Sequence, residues 1–291
     1  LEKQTYFRGV WGGAREVSLP IGLHGLWNAC SVFDGARAIS GRVPDLLEHC
    51  QRLVDAAPSM LMQSPLSAER IAALALEGIA RFPDTAELYI TPLLFSTGEG
   101  LIPDAGATEF MLSVAEAPLP RRGLEVCTGI GITRPAPGTM QTAYKASWLY
   151  ANAVPARRAA QQRGFDDAVM LAPSGQVVEF STANLWLVRD GRLVTPPDAG
   201  SILPGITRAR VLDLLRAAGL PVEEAPLYPA DLEAASELFS TGNSGQIRPV
   251  TRLDARDMAP GPVYRQVHRI YWDWLQTQTV AALQARLAAR A

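Results

Sequence analysis

The stretch Ala117-Pro118-Leu119-Pro120-Arg121-Arg122-Gly123 constrains this chain more than any other. Two prolines fix φ and remove two amide donors, so neither a helix interior nor a central strand runs through it. The chain on either side mixes helix and strand patterns, which makes the stretch a linker between two α/β lobes. The expected division is residues 1–117, an interdomain loop at 118–125, and residues 126–291. The 291 residues are 48% hydrophobic, enough to fill two modest cores.

Before the linker, Ser67 precedes a run that places Ile71, Leu74, Gly78 and Ile79 on one face. That spacing predicts a helix to about Arg81, stopped by Pro83 and Asp84. Leu88–Phe95 and Phe110–Val114 read as strands. After the linker, Leu124–Thr133 reads as a strand and Ala143–Arg163 as a helix closed by Gly164. Two hairpins follow. One joins Ala168–Leu171 to Gln176–Phe180 around Pro173-Ser174-Gly175. The other joins Asn184–Val188 to Leu193–Thr195 around Asp190-Gly191, a type I′ signal. Thr207–Ala218 predicts a helix ending at Gly219, with Pro221 just beyond. From Gly261 onward the chain reads as helical, with Tyr264, Val267, Ile270, Tyr271 and Trp274 in its apolar stripe.

Charged residues make up 19% and the formal net charge is −2, which argues against a nucleic-acid partner or a polybasic membrane surface. No apolar run reaches the roughly 18 residues of a membrane span. The opening LEKQTYFRG lacks the apolar stretch of a secretory signal. Cys30, Cys50 and Cys127 show neither metal spacing nor a disulfide framework, so the expected setting is a reducing cytoplasm. His24, His49 and His268 lie far apart in sequence, and no metal is expected.

Of the 27 basic residues, lysine occurs only at Lys3 and Lys145. Arginine does not deprotonate, whereas a desolvated lysine can and then becomes a nucleophile. Lys145, amid Tyr144, Ala146 and Trp148, is therefore either incidental to a lysine-poor composition or kept as an amine. Three further pieces bear on an anion. In Leu203-Pro204-Gly205-Ile206-Thr207-Arg208 a Pro-Gly turn runs into a helix, whose first N–H groups and the Thr207 hydroxyl can hold a phosphate; the alternative is an ordinary capping threonine. Phe239-Ser240-Thr241-Gly242-Asn243-Ser244-Gly245 is either a backbone nest or a plain turn. Arg52, in Glu48-His49-Cys50-Gln51-Arg52-Leu53, is either a phosphate fork or a solvated surface arginine.

Together these pieces resemble the class IV family of aminotransferases, closest to its branched-chain group. Ser31-Val32-Phe33-Asp34-Gly35-Ala36-Arg37 resembles the family's S-x-F-E-G-x-R, with Asp34 in place of Glu. The run from Arg134-Pro135-Ala136-Pro137 to Lys145 resembles the approach to its Schiff-base lysine. Val178-Glu179-Phe180-Ser181-Thr182-Ala183-Asn184 resembles E-x-x-x-x-N, and Ile247-Arg248-Pro249-Val250 its I-x-P-V ending. The resemblance spans residues 31 to 250.

What the resemblance implies is an α/β (α+β) chain of fold type IV, similar to D-amino-acid aminotransferase, with a smaller N-terminal and a larger C-terminal lobe. It also implies a homodimer. Pyridoxal 5′-phosphate would be bound by Lys145 as a Schiff base, Arg52 at the phosphate, Tyr150 at the phenolic oxygen and Glu179 at the pyridine nitrogen. Leu203 would pack on the ring; Ile206, Thr207 and Asn243 would complete the phosphate turns. The implied reaction is ping-pong transfer of an amino group between an apolar, branched-chain-like amino acid and a 2-oxo acid. Substrate would meet Phe33, Arg37, Tyr89, Thr91, Arg121, Arg122, Trp148 and Ser244.

One departure matters for substrate. Tyr89-Ile90-Thr91-Pro92 resembles the branched-chain group's Y-I-R-P, but Thr91 replaces the arginine that helps bind the side carboxylate of 2-oxoglutarate. Arg121, Arg122 or Arg37 is expected to compensate. The alternative is an (R)-selective amine or D-amino-acid transaminase on the same fold.

Overall fold

The computed structural model describes residues 2–13, 17–19, 22–98 and 100–290. They divide into two units, each with its own core. The first takes the described residues of Leu1–Leu119, Tyr144–Trp148 and Trp274–Ala291; the second takes Pro120–Ala143 and Leu149–Asp273. No single boundary near residue 120 separates them, because the segment holding Lys145 and the chain from Trp274 belong to the first unit.

The first unit is built on six strands: β1 (Lys3–Phe7), β2 (Val10–Gly13), β3 (Ser31–Phe33), β4 (Ala36–Ile39), β5 (Glu87–Ser96) and β6 (Thr108–Glu116). They pair antiparallel in the order β2-β1-β6-β5-β3, with β4 also on β5. Its helices are α1 (His24–Trp27), α2 (Leu46–Ala56) and α3 (Ala68–Ile79). Leu88, Ile90 and Leu94 alternate along β5 onto the covered face, where they meet Leu53 of α2 and Ile71 and Leu74 of α3. Ser67 caps α3 as expected, accepting from Arg70 N at 3.2 Å. Tyr89 and Thr91 take the opposite face of β5 and stay half-buried.

The second unit carries β7 (Leu124–Cys127), β8 (Asp167–Leu171), β9 (Val177–Phe180), β10 (Asn184–Arg189), β11 (Arg192–Thr195), β12 (Val222–Glu224), β13 (Glu237–Gly242), β14 (Gln246–Leu253) and β15 (Arg256–Asp257). Strands β10, β13, β14, β7, β8 and β9 pair in that order, and β9 returns to β10 through Glu179 and Asn184. This closes a six-stranded ring and removes two sheet edges. Phe180, Leu185, Leu187, Leu238 and Val250 belong to its core. Trp186 stacks on Phe239 at 5.8 Å and donates from Nε1 to Thr241 Oγ1 at 2.8 Å. The helices are α4 (Tyr150–Gln162), α5 (Ile206–Ala217), α6 (Pro229–Ala234) and α7 (Pro262–Thr277); a last helix, α8 (Val280–Ala288), packs with the first unit through Leu283. At the β10–β11 turn, Asp190 and Gly191 both have positive φ, 50° and 74°, as a type I′ turn requires.

Three sequence expectations need correction. The helix expected from Ala143 starts only at Tyr150, because Ala146 bridges Val32 and Phe33 N donates to Lys145 O at 3.0 Å. A backbone pairing with a distant strand overrides local helix preference there, and a 3₁₀ turn at Ser147–Leu149 follows. The strand expected over Leu124–Thr133 ends at Cys127, since Gly129 and Gly131 both take positive φ. The C-terminal helix is two helices, broken before Thr279, whose hydroxyl caps α8 by accepting from Ala282 N at 3.1 Å. Among the described residues no helix is long and apolar enough to cross a membrane, and no group of three His, Cys, Asp or Glu could hold a metal ion.

Candidate active site

Lys145 lies on the extended segment that bridges β3. Its Nζ sits 5.0 Å from the centroid of the Phe33 ring, within cation–π range. Beside it, the Ser147 and Ser31 hydroxyls hydrogen-bond at 2.6 Å. Lysine is thus fixed at its backbone by β-type pairing and not by a helix. Trp148 is half-buried and packs on the first core, with its Nε1 buried and without a hydrogen bond.

Just after Phe33, the Asp34 carboxylate is fully buried. Oδ2 accepts from Arg52 Nε at 2.7 Å; Oδ1 accepts from Arg52 at 2.9 Å, from Gly35 N at 2.7 Å and from His49 Nδ1 at 2.7 Å. Burial pushes this carboxyl up, but the Arg52 and His49 contacts outweigh it and hold it well below the usual range. His49 and Arg52 are three apart on α2, so one helix face presents both. Arg52 is therefore a seated arginine and not a solvated one.

Arg37 of β4 is buried, donates to Ala117 O and lies 5.1 Å over the ring of Tyr89, its register partner on β5. Burial pushes its pKa down, against the raising influence of Tyr89 and Glu87. A Cβ on Gly35 would come within 2.2 Å of the Tyr89 hydroxyl, so glycine is what lets Tyr89 lie there. Thr91 pairs with Ser113.

In the second unit, Tyr150 opens α4. Glu179 on β9 is buried; its Oε1 is paired with Arg134, and its Oε2 accepts from Asn184 Nδ2 at 3.1 Å. The same Nδ2 donates to Leu203 O at 2.9 Å. Helix α5 begins after Gly205, which offers no side-chain cap. Thr207 lies one position inside α5, past Ile206, and is buried, so the capping-threonine alternative falls away. The uncapped start leaves N–H groups and the helix dipole to an anion.

Asn243 and Ser244 form the β13–β14 turn, where Gln246 Nε2 donates to Asn243 O at 3.0 Å. Gln246 Oε1 in turn accepts from the Tyr271 hydroxyl. Arg121 and Arg122 are exposed, and the Arg122 fork is engaged by Asp166, with a contact of 2.8 Å on one nitrogen.

The pattern of the amino-transferase class IV family matches residues 31–253, more than half of the chain. The chain belongs to the class IV aminotransferase family. The branched-chain-amino-acid aminotransferase of Escherichia coli (strain K12) is 28% identical over 296 residues, covering 93% of this chain and 96% of that protein. An aminotransferase from Brucella abortus, solved bound to the co-factor PLP, superposes with a TM-score of 0.91 at 34% identity, covering 95% of this chain and 100% of that one. A branched-chain aminotransferase from the archaeon Thermoproteus uzoniensis, solved with norvaline, gives 0.87 at 27% identity, with 97% of each chain covered. The α/β (α+β) fold type IV architecture expected from the sequence is thus shown, and the protein is an aminotransferase.

Three class IV positions acquire partners that sequence reasoning did not assign. The sequence marks Arg134 only as the start of the run toward Lys145, Asn184 only as a motif letter, and Asp34 only as a substituted Glu. The available signal was type and spacing: an arginine, a carboxylate and an amide are costly to bury singly and come buried in groups.

Proposed function

We propose that this enzyme uses pyridoxal 5′-phosphate to move an amino group, in a ping-pong cycle, between an amino acid with an apolar side chain and a 2-oxo acid. The observation that carries the reading is Glu179, a buried carboxylate held on one oxygen by Arg134 and on the other by Asn184, beside the uncapped start of α5. A buried anion facing a helix start that itself favours anions suits a molecule with a protonated ring nitrogen and a phosphate.

The buried Glu179 carboxylate and the uncapped start of α5 support that group, and the remaining roles follow the family resemblance. Glu179 would hold the ring nitrogen, the α5 start with Ile206 and Thr207 would hold the phosphate with Arg52 and Asn243, Tyr150 would hold the phenolic oxygen, and Leu203 would pack on the ring. When bound, the cofactor supplies the carbon that carries the amino group and a ring that takes up the electron pair released at the substrate Cα. Lys145 would anchor the cofactor through its amine and, as a free amine, would move the proton off and onto the substrate Cα. Glu179, ion-paired with Arg134, would accept a hydrogen bond from the protonated ring nitrogen. By the family resemblance, Phe33, Tyr89 and Trp148 would wall an apolar side chain and Ser244 would meet substrate.

The branched-chain names of the relatives, and norvaline in one of them, support an apolar amino donor. Arg37 is the better-supported compensating cation for the missing arginine at Thr91. It stands beside Tyr89, two residues along β5, whereas Arg122 is engaged by Asp166. Thr91 itself favours the second reading, an (R)-amine or D-amino-acid donor. A homodimer follows the family resemblance, and the exposed Leu26 and Trp27 of α1 offer apolar surface for it. Three buried free cysteines suit a reducing cytoplasm.

The test mixes cofactor-loaded protein separately with L-leucine, D-alanine and (R)-1-phenylethylamine and follows the cofactor's absorbance band. Loss of the band with L-leucine alone supports the branched-chain reading. Loss with either other donor and not with L-leucine overturns it in favour of the second. No change with any donor overturns both.

A further inference from the structure

Asn184 faces Glu179 in register where β9 closes onto β10. Its side chain is buried, and its single Nδ2 donates in two directions: to Glu179 Oε2 at 3.1 Å and to Leu203 O at 2.9 Å. Leu203 is two residues before Gly205, the N-cap of α5. The turn lies hard against the amide, since a Cβ on Gly205 would sit 1.9 Å from Asn184 Oδ1. One amide therefore spans the distance between a buried carboxylate and the backbone that sets the direction of a helix start. An aliphatic side chain of similar size offers neither hydrogen bond. An aspartate would set a second anion beside Glu179.

We propose that Asn184 is a positioning residue that locks the Glu179 carboxylate to the start of α5, so that the ring-nitrogen contact and the phosphate contact of the cofactor are built as one unit. This rests on the proposed reading of Glu179 and α5 as cofactor contacts. Asn184 touches neither end of the cofactor in that reading. It acts through the angle of a carboxylate on one side and of a peptide turn on the other. Gly205 belongs to the same device, because any larger residue pushes the turn off the amide.

The experiment measures binding, not turnover. Apo-protein is titrated with pyridoxal 5′-phosphate and with pyridoxal, which lacks the phosphate, following absorbance and tryptophan fluorescence. The affinity ratio of the two reports the phosphate contact; the affinity for pyridoxal alone reports the ring contact. Glu179→Gln is expected to lower pyridoxal affinity and leave the ratio unchanged. Asn184→Ala is expected to lower both the pyridoxal affinity and the ratio, each about 10-fold, the worth of one hydrogen bond to a charged or constrained partner. Gly205→Ala is expected to do the same from the turn side. Circular dichroism checks that each variant is folded; should Asn184→Ala not fold, Asn184→Asp and Gly205→Ala decide on the same two readouts. If the wild type prefers the phosphorylated ligand and Glu179→Gln weakens pyridoxal, but the Asn184 variants move only one readout or none, the lock is wrong and the cofactor site stands. A wild type that binds both ligands equally, with Glu179→Gln silent, overturns the cofactor reading and the lock with it.

Discussion

The guanidinium of Arg134 meets the carboxylate of Glu179 with each side chain only 4% exposed. Two opposite charges share an interior where either alone would be costly. Arg134 also has its Nε buried without a hydrogen bond, so the carboxylate is its main compensation. Arg134→Met should therefore destabilise the protein by about 3–5 kcal/mol, the usual cost of stripping one partner from a buried pair. Arg134→Met with Glu179→Leu should recover most of that loss. Urea unfolding of the two variants checks it; a double variant as unstable as the single one would show that the pair is not coupled.

Asp34 makes a pH prediction. Its folded-state pKa is depressed, burial being outweighed by Arg52 and His49. A depressed carboxyl contributes stability that is present above its unfolded pKa, about 3.9, and is lost as pH falls toward the folded value. Asp34→Asn should cost about 3 kcal/mol at pH 7, since it leaves half-buried Arg52 and buried His49 beside a neutral group. Below about pH 4 the gap between wild type and variant should narrow. Melting midpoints from pH 7 down to pH 3 measure it; a gap constant with pH would refute the assignment.

Lys145 gives a chemical prediction. Lys145→Arg keeps the charge and most of the side-chain volume but removes an amine that can bond covalently. Borohydride reduction of the cofactor-loaded wild type should fix the cofactor to the peptide containing Lys145, and the variant should show no such adduct by mass spectrometry. Covalent label on Lys3 instead would move the anchor.

These residues also show what could be read from the chain alone. The Asp190-Gly191 turn, the Ser67 cap and the helix after Gly205 were legible because a few adjacent residues decide each of them. The segment around Lys145 was not: its local pattern favours helix, and only the bridge from Ala146 to Val32 makes it extended. The closed ring was equally hidden, since it depends on Glu179 and Asn184 meeting across β9 and β10. The site residues themselves were legible by type, through motif order. Their partners were not, because Arg134 and Asp34 acquire meaning only from what the fold brings against them.

Gly35 bears on Tyr89 and Arg37, two residues proposed to meet substrate. Its missing side chain makes room for the Tyr89 hydroxyl, and Tyr89 underlies Arg37. Gly35→Ala should push Tyr89 aside and cost about 1–3 kcal/mol, as overpacking does. It should also raise KM for the oxo acid while changing kcat less, because it disturbs a binding wall and not the reacting groups. An unchanged KM would remove Tyr89 and Arg37 from the substrate site.

Thr91 offers the sharpest test of specificity. It sits half-buried on β5, on the face that carries Tyr89, and pairs with Ser113 across the sheet. An arginine at this position would leave from the same face, where the family's branched-chain members carry one. Thr91→Arg should therefore raise kcat/KM for 2-oxoglutarate relative to pyruvate by about 10-fold, the worth of one charge-assisted fork to a carboxylate. The half-reaction with L-leucine, which has no side carboxylate, should stay as it was. Steady-state kinetics with the two acceptors measure the ratio. If the ratio rises, the wild-type threonine is what sets acceptor choice. If it does not, the cation that reads the side carboxylate lies elsewhere, and Arg37→Met should then lower the same ratio.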